Sequence, residues 1–155
     1  MARIRLETIV PGPPEQVFDL ARDIDFHQRS MSGSGERAVA GRTSGLIGPG
    51  ESVTWLATHL GLNWQLTSRI TSFDRPNSFV DDQQNGPFAS FRHAHRFEKV
   101  DGRTRMLDDW HHELRYGLVG RIVDRVVVGR LMRRLLRARA KAIAEASADL
   151  RAMND

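Results

Sequence analysis

The chain has 155 residues, 40% of them hydrophobic, which suits one domain able to bury a core without metals or crosslinks. There is no cysteine, so disulfide and thiolate chemistry are excluded. The net charge of +4 is unevenly placed: residues 114–155 carry ten Lys or Arg against four acids, and the preceding residues are slightly acidic. The first residues alternate charged and apolar without a signal-peptide core, and no apolar run is long enough to cross a membrane. The expectation is a cytoplasmic protein.

In chain order, Ile4, Leu6, Ile9 and Val10 predict an opening strand from Arg3 to Ile9, closed by Pro11-Gly12-Pro13-Pro14. Glu15 to Ala21 carries Val17, Phe18 and Ala21 at helical spacing, with an acid in the first turn where it suits the helix dipole. A second short helix is expected around Asp23 to Ser30. After the Gly/Ser-rich loop Met31 to Gly35 comes a short strand from Glu36 to Arg42, and then a flexible stretch through Gly50. Five strand-like runs follow: Glu51 to His59, Asn63 to Phe73, Ser78 to Gln84, Phe88 to Val100 and Arg103 to Leu114. Their separators are short and turn-rich, so consecutive strands are expected to form an antiparallel meander. From Leu118 the period becomes helical: Val119, Ile122, Val123, Val126, Val127, Leu131, Leu135, Ala138 and Ala142 recur every three or four residues, and no proline interrupts the run to Asp155.

Turn geometry fixes a register. With Asp101-Gly102 as a two-residue turn, Phe97 opposes Met106, His95 opposes Asp108, His93 opposes Trp110 and Phe91 opposes His112, all on one face. The other face pairs Arg96 with Leu107, Ala94 with Asp109, Arg92 with His111 and Ser90 with Glu113. It is the more charged and is expected to face out. With Leu60-Gly61 as the earlier turn, Trp55 opposes Leu66 and Ala57 opposes Trp64, with His59, Ser68 and Ile70 on the same side. The expected inner surface is therefore aromatic and apolar with a few polar groups, the makeup of a small-molecule pocket. The predicted ligand-binding set is Trp55, His59, Trp64, Phe91, His93, His95, Asp108, Trp110 and His112 on the sheet, with Val123 and Val127 on the helix.

Two motif groups carry a family resemblance. Ile9-Val10-Pro11 precedes Glu15-Gln16-Val17-Phe18-Asp19. Phe79-Val80-Asp81-Asp82-Gln83 is followed by Gly86-Pro87-Phe88, His93-Ala94-His95-Arg96-Phe97 and Thr104-Arg105-Met106-Leu107-Asp108. With the order strand, two short helices, six strands and a long terminal helix, these resemble the START-related helix-grip superfamily, also called SRPBCC or polyketide cyclase-like. Within it, the second group resembles a bacterial single-domain subgroup mostly without assigned function. The chain departs from the pattern after the last strand, where Leu114-Arg115-Tyr116-Gly117 stands in place of the usual proline. The resemblance implies an α+β fold over residues 1–155, a curved antiparallel sheet of about seven strands wrapped around the terminal helix, with a ligand cavity between them. Members range from lipid and hormone carriers to cyclases, so no catalytic residue transfers.

Three functional readings follow. The leading one is a carrier of a small apolar or amphipathic ligand, lipid-like or aromatic. The second is a cyclase or dehydratase in which His95 is the acid/base and Asp108 orients it; its structural alternative is a buried pair satisfying itself. The third is an adaptor that uses Arg130, Arg133, Arg134, Arg137 and Lys141 on the terminal helix to reach an acidic partner, against which stands a simple solvated face. No aromatic residues interleave with these cations, so nucleic acid is not expected. His93, His95 and Asp108 have the residue types of a facial metal set, but the sequence assigns no metal and no cofactor. Homo-oligomer formation is left open.

Overall fold

The computed structural model describes residues 1–154. Seven strands form one antiparallel sheet in the order β1-β7-β6-β5-β4-β3-β2. They are β1 (Ala2–Pro11), β2 (Arg37–Gly41), β3 (Ser52–His59), β4 (Leu62–Asp74), β5 (Ser78–Asn85), β6 (Ser90–Val100) and β7 (Arg103–Glu113). Only β1 leaves the meander, crossing to pair with the last strand, so Leu6 lies beside Asp108 and Ile4 beside Trp110. Two helices, α1 (Pro14–Ala21) and α2 (Ile24–Ser30), fill that crossing. Pro14 starts α1 where its missing N–H costs nothing, and Asp23 caps α2 by accepting the Phe26 N–H at 3.0 Å.

The hairpins form as the turn residues dictate. Asp101 and Gly102, and likewise Leu60 and Gly61, adopt the left-handed conformation of a two-residue turn, and every cross-strand pair expected from them is observed. The inner residues of β6 and β7 are buried, whereas Arg92, Arg96 and Glu113 face out.

The chain ends in α3 (Gly117–Val123), a wide five-residue π turn (Asp124–Val128) and α4 (Gly129–Asn154). The expected end at Asp155 lies outside the described residues. Met132, Leu136, Ala140, Ile143 and Ser147 form the buried stripe of α4. Near its far end the Ser147 hydroxyl donates to the Pro11 carbonyl and accepts from Gln16 Nε2 at 2.7 Å. Gly12 has φ 118° there, and a Cβ on it would meet Ser147 Oγ at 2.6 Å, so only glycine fits the corner.

Two apolar clusters result. One gathers Val10, Val17, Phe18, Phe79, Phe97, Met106, Ala140 and Ile143 among others; the second gathers Ile4, Phe88, Phe91, Trp110, Met132 and Leu136. Along β6 the step from Phe97 to Phe91 passes through His95 and His93, and along β7 the step from Met106 to Trp110 passes through Asp108. A polar seam therefore crosses the inner face between the clusters.

Candidate ligand cavity

Between the sheet and α4 lies a cavity of about 220 Å³, against roughly 10–15 Å³ needed for a single water. Its sheet wall includes Trp55, Ala57, Trp64, Leu66, Phe91 and Trp110; α4 contributes Leu131, Met132, Leu135 and Leu136. The predicted residues Trp55, His59, Trp64, Phe91, His93, His95 and Trp110 all line it. Four predicted residues do not. Asp108 is buried behind the histidine rings. His112 is fully buried, accepting from Trp110 Nε1 at 2.9 Å and meeting Asp124 Oδ1 at 2.6 Å.

Val123 and Val127 are exposed, and Val128 lines the cavity instead. The reason is the π turn. Its i→i+5 bonding takes up an extra residue and rotates the preceding helix by roughly 100° relative to an unbroken α-helix. Within α4 itself the buried stripe runs through Met132, Leu136, Ala140 and Ile143, so Ala138 is exposed and Arg139 lines the cavity.

Asp108 organises the polar seam. One of its oxygens sits 3.0 Å from His93 Nε2 and 3.0 Å from His95 Nδ1. Burial alone would favour the neutral carboxyl, but hydrogen bonds from both imidazoles hold Asp108 far below the usual carboxylate range. As an ionised acceptor it requires each ring to present N–H toward it, which fixes both tautomers. On the far side of His95, Nε2 lies 3.3 Å from Asp81 Oδ2. Burial opposes a charge on His95, yet hydrogen bonds and charge from Asp108 and Asp81 outweigh it and raise its pKa. His93 goes the other way: burial and the neighbouring His95 lower it.

A second polar group faces the seam from the other wall. Arg139 donates to His27 Nδ1 and to the Ala21 carbonyl, and His27 Nε2 donates to Glu36 Oε2 at 2.6 Å. Because a guanidinium can only donate, His27 Nδ1 carries a lone pair. Burial first, and then the Arg139 charge, push the His27 pKa down to about 4. The ring stacks on Trp55 with centroids 4.2 Å apart, and His59 Nε2 lies 3.6 Å from the other Glu36 oxygen.

Asp81, Arg139, Glu36 and His27 are cavity residues that the sequence reading did not select. Asp81 was detectable: in β5 it alternates with Phe79, so the same period of two that placed His93 and His95 places it inside. Arg139 was the arginine falling four residues after Leu135, on the apolar stripe. Glu36 and His27 come from a loop and a short helix, where no periodicity speaks. The facial residue set His93, His95 and Asp108, to which the sequence assigned no metal, is also redrawn. One donor atom from each of Asp81, His93 and His95 lies within 4.8 Å of the others, and Asp108 stands behind them.

The comparisons with known proteins agree with this architecture. Residues 1–148 match the family described as polyketide cyclase / dehydrase and lipid transport. The chain belongs to that family. Among solved structures it is similar to the protein TTHA0849 from Thermus thermophilus, with 21% identity, TM-score 0.78, and 96% of this chain and 99% of that one covered. It is also similar to the Zhui aromatase/cyclase from Streptomyces sp. R1128, with 17% identity, TM-score 0.73 and 95% and 93% covered. Ara h 8.0201 gives 14% identity, TM-score 0.71 and 96% and 98% covered. At these identities the likeness shows the helix-grip fold alone. No curated protein sequence matches the chain. Among the described residues no helix is long and apolar enough to span a membrane. The basic residues Arg130, Arg133, Arg134, Arg137 and Lys141 are all exposed on α4.

Proposed function

We propose that the protein binds one small amphipathic molecule between the sheet and α4. Its apolar body would pack against Trp55, Trp64, Phe91, Trp110, Met132 and Leu135, with its polar end toward Arg139, His95 and Asp81. The observation that carries this reading is the makeup of the cavity wall: apolar and aromatic over most of its extent, with charged Glu36, Asp81 and Arg139 close enough to interact. Membership of a family that includes lipid transport supports the same class of ligand.

The test is native mass spectrometry of the purified full chain, followed by denaturing extraction, alongside titration with the apolar dye 1-anilinonaphthalene-8-sulfonate. A retained lipid or aromatic molecule, or one saturable dye site, is expected. Ala57→Phe from the sheet side and Leu135→Trp from the helix side fill the cavity and should each weaken dye binding by about tenfold or more, equivalent to ~1.4 kcal/mol. Undiminished binding in both folded variants would sink the reading.

A second reading rests on His95, which reaches the cavity wall while Asp108 orients it from behind. That is the arrangement of an acid/base catalyst acting on the bound molecule, of the cyclase or dehydratase kind. The copurified molecule, incubated with wild type and with His95→Gln, should be converted only by wild type, while dye binding stays alike in both. Conversion by both would remove His95 from the chemistry.

A further inference from the structure

The geometry points to a divalent metal site on the inner sheet face, with Asp81, His93 and His95 as ligands and Asp108 as the carboxylate that positions both imidazoles. Three observations converge on it. Asp81 and His93 are directly paired across β5 and β6, His95 follows two residues later on the same face, and a donor atom from each lies within 4.8 Å of the others. Asp108 takes the N–H of His93 Nε2 and of His95 Nδ1, so the nitrogens left with lone pairs in the neutral rings are His93 Nδ1 and His95 Nε2. His93 makes its hydrogen bond to Asp108 through Nε2, and its ring lines the cavity.

His95 Nε2 and an Asp81 oxygen lie 3.3 Å apart, in a hydrogen bond that a metal ion would replace. Metal–ligand bonds of about 2.0–2.2 Å put tetrahedral ligand atoms roughly 3.3–3.6 Å apart, so this pair is already at bonding span. The third donor has to draw in by roughly 1 Å, a side-chain rotation. Two imidazoles and one carboxylate suit Zn(II) or Fe(II) and leave coordination positions open toward the cavity. Water or an oxygen of the bound molecule would fill them. Only this last feature rests on the ligand-binding reading.

The experiment uses the untagged full chain, stripped with chelator and titrated with Zn(II), with Co(II), and with Fe(II) under anaerobic conditions, followed by calorimetry and by the visible spectrum of the cobalt form. One equivalent per chain is expected, and the intensity of the cobalt bands separates a four-coordinate site from a five- or six-coordinate one. Asp81→Asn and His95→Gln should each lower affinity at least about a hundredfold. Asp108→Asn should lower it by about 10–100-fold while keeping one equivalent, as for a carboxylate that orients ligands. Asp82→Asn, whose carboxylate bonds Thr71 and Arg92 away from the cavity, should change nothing. Absence of saturable binding by wild type would overturn the site, as would full affinity in folded Asp81→Asn. Dye binding by the stripped protein reports separately on the cavity, so either idea can fail without the other.

Discussion

The two halves of the terminal helix have similar apolar periodicity and opposite fates. In α4, Leu136, Ala140, Ile143 and Ser147 are buried against the sheet and α1. In α3 and the π turn, Leu118, Val119, Ile122, Val123, Val126 and Val127 are exposed, Leu118 at 74%. The difference lies at the two ends. The far end is anchored at the Gly12 corner through Ser147. The near end leaves β7 through Tyr116, which takes φ 78°, a left-handed turn that a proline would forbid. Gly120 then packs on the Arg115 backbone, and the wide turn is tied to the sheet through Asp124 and His112. A repeating apolar pattern says that a helix has a face; where that face points depends on the anchors.

The largest effects should separate the halves by stability. Ile143→Ala removes a side chain that is 2% exposed and should cost about 2–5 kcal/mol in urea unfolding. A loss below ~1 kcal/mol would mean that the packed half is not the anchor its burial implies.

The packed half should also couple folding to pH, through Arg139 and His27. The folded His27 pKa of about 4 lies below that of an unfolded histidine, so the unfolded chain binds more protons between about pH 4 and 6.5. Stability should therefore rise with pH across that window, by an amount on the order of 3 kcal/mol at most from this group. His93, also lowered, acts in the same sense; His95, raised, contributes stability at low pH that is lost as pH climbs through its folded pKa. His27→Gln should flatten the rise in unfolding midpoint between pH 4 and 6.5, and an unchanged slope would place the coupling elsewhere.

How far the sequence reaches can be seen in particular residues. The pairing of His95 with Asp108 was readable because Asp-Gly fixes a two-residue turn and strand counting from it cannot drift. Asp81 follows the same rule one strand earlier. Val127 failed and Val128 took its place because periodicity assumes an unbroken α-helix, and one wide turn resets the phase of everything before it. The His27–Arg139 contact joins residues 112 apart in sequence; only the packing of α2 against α4 brings them together, and no local pattern encodes it.

Smaller effects should sharpen the contrast at the near end. Asp124→Asn keeps the shape but weakens the charged partner of the buried His112 ring, with an expected cost of about 1–2 kcal/mol. Hydrogen exchange should speed up in residues 117–128 while residues 136–147 stay protected; uniform loss across both would show that the halves unfold as one.

The smallest expected change is also the most pointed. Ile122 is 66% exposed, so Ile122→Ser should move folding stability by no more than about 0.5 kcal/mol. Alone in solution the exposed apolar face then contributes nothing that serine cannot. A loss of about 2 kcal/mol or more would mean that Ile122 is covered in the folded protein, either by a swing of α3 onto the sheet or by a second copy. Repeating the unfolding at tenfold lower protein concentration separates these, because only association makes the midpoint depend on concentration.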